Sequence, residues 1–193
     1  MNPDYDLPIL LAASPGMKDP NFEQSVILLL EHDENGALGF IINNKSHMTM
    51  KEVVAFDKIE IPPEIPVWFA GPVDSSAGFV LHNQKNDYFE REVAPGISLS
   101  ASQESLKKLV DSEVAKEEQK DRYPFRLLIG YAGWGPGQLE SEFRQGLWIK
   151  APLDRQILFN SDYQEIWTST LNRIGIDQNS MVETTDYSGD WLH

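Results

Sequence analysis

The chain has 193 residues with 16 Lys and Arg against 30 Asp and Glu, a formal net charge of −14, and no cysteine. That length accommodates one domain with a proper core. Missing cysteine excludes disulfides, thiolate metal sites and cysteine nucleophiles, and the acidity opposes direct duplex binding, which needs a basic footprint.

The first seventeen residues place acidic side chains where a secretory signal needs basic ones, and no apolar run approaches a membrane span. A soluble, cytoplasmic protein is expected, with no membrane association. Pro8–Ala12 and Val26–Leu30 are apolar runs of strand length, and Leu38–Ile42 follows across Asn35-Gly36, so Ser25–Asn43 reads as a β-hairpin. Ser14–Pro20, with its prolines and glycine, is expected to be loop. Thr49–Phe56 reads as a short helix with Thr49 as N-cap and Glu52 completing a capping box. Val67–Ala70 and Gly78–His82 read as strands, separated by a loop over Gly71–Ser76.

The second half alternates helices and strands less regularly. Ser100–Gln103 fits a capping box, and Leu106, Leu109, Val110 and Val114 predict a helix to about Gln119. Its mixed charges, from Lys107-Lys108 to Arg122, read as a solvated face. Phe125–Tyr131 is apolar enough for a central strand. Four glycines (Gly130, Gly133, Gly135, Gly137) then suggest that the strand breaks into a loop, with Pro136 in the first turn of a helix ended by Gly146. Leu147–Ala151 reads as a short strand and Ser161–Ile174 as a final helix with a Ser161…Gln164 capping box and Gly175 after it. The acidic stretch 176–193 is expected to be partly mobile. Without regular βαβ alternation, a single α+β domain over 1–193, with its core at about 7–175, is favoured.

Signals for chemistry are sparse. Gly133, Gly135 and Gly137 miss the dinucleotide spacing, no Walker A sequence occurs, and Glu140 and Glu142 oppose a phosphate at the helix start. The glycine stretch is therefore read as a structural corner, with contact to a neutral ligand or peptide as the alternative. The four histidines (His32, His47, His82, His193) form no HExxH motif. His32 with Asp33, or His82 with Asp19, would be the pairs available for a metal or acid–base site; two histidines locking loop backbone is the simpler reading. No metal, cofactor or catalytic constellation is assigned.

Three segments carry a resemblance. Ser14–Asn43 (SPGMKDPNFEQSVILLLEHDENGALGFIIN), Ala70–His82 (AGPVDSSAGFVLH) and Gly130–Trp148, with its Gly-Tyr-Ala-Gly-Trp and Gly-Gln-Leu-Glu, are similar in order and content to the YqgE/AlgH family. The resemblance implies a twisted, partly barrel-like, mixed or antiparallel sheet flanked by helices. One branch of that family is associated by name with transcriptional control of alginate production. The chain departs from the family pattern at Asn44-Lys45, where Arg-Pro is usual, at Ala70, which replaces a glycine, and at Ala77, which replaces a frequent arginine.

Two readings follow. The first is a non-catalytic regulatory or interaction protein acting through a protein partner, without direct nucleic-acid contact. The alternative is a small-ligand binder or enzyme whose pocket gathers Asp19, Phe22, His32, Asn43, His82, Trp134 and Gln138. Convergence of those side chains in one cleft would favour the alternative; consumption of each by the protein's own backbone would favour the first. Oligomeric state is not encoded in any recognisable motif.

Overall fold

The computed structural model describes residues 6–54, 65–83, 91–111, 125–159 and 162–176. Their order is β1 (Ile9–Ala13), β2 (Val26–Asp33), β3 (Gly36–Ile41), β4 (Lys45–Thr49), α1 (Met50–Val53), β5 (Pro66–Phe69), β6 (Val73–His82), β7 (Arg91–Ala94), β8 (Ile97–Ser100), α2 (Gln103–Asp111), β9 (Phe125–Trp134), α3 (Gln138–Arg144), β10 (Trp148–Ala151), α4 (Arg155–Phe159) and α5 (Ile166–Arg173).

The strands form a curled, half-barrel sheet in the order β10-β1-β2-β3-β9-β6-β8-β7, antiparallel along that path, with β5 parallel to β9 and antiparallel to β4. β2 and β7 are far apart in the order, yet Arg91 of β7 forms an ion pair with Glu31 of β2. A flat sheet would not let those strands meet.

β1, β3 and the first five residues of β2 are apolar because both of their faces are covered. Successive strand residues point to opposite faces, so Leu10, Ala12, Val26, Leu28, Phe40 and Ile42 join one core with α4 and α5. Leu11, Ala13, Ile27, Leu29 and Ile41 join another, closed by Trp134, Leu139 and Trp148. A third core sets α1 and α2 against Val67, Val80, Phe125 and Leu127. Trp167 stitches α5 to β1 by donating from its indole Nε1 to the Ala13 carbonyl at 2.7 Å.

β9 is the axis of the sheet. Leu127–Ile129 pair with β5, Ala132–Trp134 pair with β3, and β6 lies along the other side. Gly130 is where the strand changes partner. It sits at φ +71°, and a Cβ there would lie 2.4 Å from the Gly71 carbonyl oxygen. Gly71, at φ +149°, would place its own Cβ 2.2 Å from the Tyr131 backbone. The two glycines let the β5–β6 connection cross β9 backbone against backbone.

Several expectations are corrected here. The glycine stretch is not a loop from Gly130 onward, because β9 runs through Gly130 and Gly133 to Trp134. Ladder bonds to β3 and β6 hold a backbone that local propensity alone would release. Pro136 lies in the turn before α3, not in its first turn, and Gly137 at φ +72° is the N-cap. Gly71–Ser76 is mostly strand: β6 begins at Val73, with Asp74 at φ +46° and an irregular register absorbing the bend.

The Thr49–Glu52 capping box forms, but α1 is a single turn because Val54 is extended. Ser100 ends β8; Ser102 Oγ caps α2, accepting from Glu104 and Ser105 N–H at 3.2 and 3.5 Å. α5 starts at Ile166, preceded by a turn in which Asp162 accepts from the Gln164 N–H at 3.1 Å. Ser161, Val114 with the end of the expected second helix, and 177–193 lie outside the described residues. The β7–β8 hairpin and α4 were not foreseen, although Pro95-Gly96 between two alternating runs is a hairpin signal.

Candidate functional site

Four of the seven singled-out residues gather around α3. His32, on β2, has a side chain only 2 % exposed, and its Nε2 lies 2.9 Å from Glu140 Oε1. A carboxylate only accepts, so that nitrogen carries the proton. Glu140 is held below its ordinary value of 4.5, first by a hydrogen bond from its own backbone N–H and then by His32. Burial opposes this shift by more than the His32 hydrogen bond contributes, although the Glu140 side chain is 44 % exposed.

Two positions further along α3, Glu142 is the centre of a clamp. Its Oε2 accepts from the indole Nε1 of Trp134 at 2.8 Å and of Trp148 at 2.6 Å. Its Oε1 accepts from Gln138 Nε2 at 2.8 Å, while Gln138 Oε1 accepts from the Gly135 N–H at 3.1 Å. The two indoles pack edge-on with centroids 6.0 Å apart, and Phe22 packs edge-on against Trp148 at 5.6 Å. One carboxylate thereby joins β9, β10 and α3 through three donors.

The remaining residues lie elsewhere. Asp19 is exposed; its Oδ1 accepts from Asn21 N–H at 2.9 Å and Asn21 Nδ2 at 3.2 Å, shaping the loop that lowers Phe22 onto Trp148. Asn43 continues the hairpin with its side chain, accepting from Val26 N–H at 2.8 Å and donating to the Gln24 carbonyl at 2.9 Å. His82 ends β6, wholly buried, in register with Ser98 and Phe125 on the flanking strands. The pairings entertained from sequence do not form: His32 meets Glu140 and not Asp33, whose carboxylate accepts from the Asn35 N–H, and His82 does not meet Asp19. The seven side chains thus do not converge in one cleft. Among the described residues, no group of three His, Asp or Glu side chains is placed to hold a metal ion.

Sequence reading missed Glu142, whose role as a shared acceptor depends on two tryptophans 14 positions apart. It also missed Arg126, buried on β9, with its guanidinium 4.1 Å from the Trp68 ring centroid and Nε donating to the Leu158 carbonyl at 2.8 Å. A lone arginine in an apolar strand was the available signal. Two cavities adjoin these elements. One, of about 250 Å³, lies between α1, α2 and the β6–β9 ladder, with Val80, Leu106, Leu127 and Ile129 beside Ser76, Ser102 and Gln103. The other, of about 340 Å³, lies beside Asn43 and is lined largely by amides and hydroxyls.

The fold and the Glu142 clamp define a small α+β protein built on one curled half-barrel sheet with helices on both faces. A family model described as AlgH-like matches residues 10–179, and the chain belongs to that family. UPF0301 proteins of Xanthomonas campestris and Thioalkalivibrio sulfidiphilus are 35 % and 36 % identical over 185 and 171 residues. These alignments cover 93 % of both chains in the first case, and 86 % of this chain and 88 % of the relative in the second. The solution structure of the AlgH protein from Pseudomonas aeruginosa is similar with a TM-score of 0.69 and 31 % identity, covering 96 % of this chain and 94 % of that one. A crystal structure of a protein from Corynebacterium diphtheriae shares the fold at a TM-score of 0.67 and 22 % identity, covering 90 % of each chain. Among the described residues, no helix is long and apolar enough to cross a membrane.

Proposed function

We propose that this is a non-catalytic regulatory or interaction protein of the cytoplasm, acting through a protein partner. Any influence on transcription then runs through that partner and not through the duplex. The observation that carries this reading is where the motif residues spend their hydrogen bonds. His32, Asn43, Trp134, Gln138 and Asp19 each bind another group of this same chain. Side chains used this way position strands and loops; a catalytic site needs donors and bases aimed at a shared reacting atom.

The net charge of −14 supports the same reading. It repels nucleic acid at long range and favours a partner with a basic contact surface, whose encounter would be electrostatically steered. A ligand-binding role has support at one place, the amide-lined cavity beside Asn43.

The test is photo-crosslinking of the full chain in cells, followed by titration of the purified crosslinked protein against it. The expected result is saturable one-to-one binding that weakens with added salt, with no binding to duplex DNA under the same conditions. Tight duplex binding with a steep inverse salt dependence would sink the proposal.

A further inference from the structure

The cavity beside Asn43 opens where the loop before β2, the loop after β3 and the turn before α5 meet. Asn21, Gln24, Ser25, Asn44, Tyr163 and Gln164 supply most of its polar wall. Its volume of about 340 Å³ falls in the range of small-molecule sites.

Ser25 is the informative residue. It is only 4 % exposed. Its N–H donates to the Phe22 carbonyl at 3.0 Å, and its own carbonyl accepts from the Ala13 N–H at 2.9 Å. Both backbone groups are used, and the hydroxyl Oγ, sealed from solvent at the edge of the cavity, has no hydrogen-bond partner among the described residues. A buried hydroxyl without a partner costs desolvation energy that alanine would not. A group that reached Oγ from the cavity would complete that bond and offset the cost.

Two aromatic side chains of the surrounding wall are held by packing or a hydrogen bond, and the wall is nearly neutral. Tyr163 packs edge-on against Trp68 at 5.6 Å, with Lys45 Nζ 5.5 Å from its ring centroid. Trp167 is fixed by its bond to the Ala13 carbonyl. Asn43 spends its oxygen and one N–H on the hairpin, which leaves its second amide hydrogen. Among the described residues that line the cavity, Glu23 alone carries a formal charge. A single exposed carboxylate disfavours an anion and falls short of a metal site. Interleaved donors and acceptors beside aromatic walls suit a ligand that presents several hydroxyls.

We propose that this cavity binds a neutral, polyhydroxylated small molecule of sugar or polyol size, with Ser25 Oγ as the buried hydrogen-bond anchor. This goes beyond the partner-binding role and does not rest on it.

The experiment is saturation-transfer NMR on the full chain with glucose, N-acetylglucosamine, sucrose and myo-inositol, and with glucose 6-phosphate as the anionic comparison. At least one neutral probe is expected to bind at about 10 mM or below, in the weak regime of a single small site. Ser25→Ala is expected to keep or raise its melting temperature, since it removes a hydroxyl the empty protein leaves unmatched, and to weaken binding about tenfold, the factor for one neutral hydrogen bond. Should Ser25→Ala fail to fold, Gln164→Ala at an exposed position decides, and a comparable loss is expected. Failure of every neutral probe, stronger binding of glucose 6-phosphate, or unchanged affinity in the folded variants would overturn the proposal.

Discussion

Gly130→Ala isolates the backbone crossing on which the half barrel depends. The substitution has two costs that the structure separates. One is conformational: at φ +71° an L-residue sits in the left-handed region, worth about 1–2 kcal/mol. The other is steric. The new Cβ would lie 2.4 Å from the Gly71 carbonyl oxygen and 3.0 Å from that of Val73. Both atoms are main chain, so β9 or the β5–β6 connection must move, as in an overpacked core, at about 1–3 kcal/mol. The expected total of roughly 2–5 kcal/mol is a large share of the roughly 5–15 kcal/mol that holds a typical domain folded. Gly137→Ala is the matched control, because φ is +72° and nothing lies within 4 Å of its Cβ. Urea unfolding followed by circular dichroism would give both free energies. Gly130→Ala should cost at least about 1 kcal/mol more than Gly137→Ala, with an unchanged slope. Equal costs would refute the claim that the crossing is sterically tight.

Two further outcomes are expected. Glu142→Ala should destabilise the protein by about 1–3 kcal/mol, because the indoles of Trp134 and Trp148 lose a shared acceptor, whereas Glu142→Gln, which keeps an acceptor oxygen, should cost less; thermal unfolding with tryptophan fluorescence measures both, and equal losses would point to packing instead. The Glu140 carboxyl is held below its ordinary 4.5, so its contribution is fully present above that value and is lost as pH falls through the lower folded-state value. Because Glu140 is 44 % exposed, solvent screening keeps the effect below about 1 kcal/mol, and Glu140→Gln should lower the pH 7 to 9 plateau of a stability-versus-pH curve by that amount while flattening its acid limb below about pH 5.

The hairpin of β2 and β3 was readable because Asn35-Gly36 divides two apolar runs, and the structure confirms the pairing from Asp33↔Gly36 to Ile27↔Ile41. Its loop residues are Glu34 and Asn35, with Gly36 already in the ladder. A Cβ on Gly36 would lie 2.1 Å from the Trp134 carbonyl oxygen, so that glycine serves a packing contact nearly a hundred positions away as well as a turn. The candidate site was legible in residue type and not in arrangement. Phe22, His32, Trp134 and Gln138 are neighbours around α3, while Asn43, His82 and Asp19 have separate surroundings. Order along the chain carries no information about which motif loops meet.

By itself, the sequence determined the acidic charge, the absence of thiol chemistry, the α+β class and the family, since these follow from composition, period-two apolar runs and motifs read in order. Only the tertiary structure decided that Gly130 and Gly133 belong to a strand, that Glu142 binds two indoles, and that Ser25 lies buried at the edge of a polar cavity. Each of these depends on long-range backbone pairing, which sets a residue's surroundings and can override its local preference.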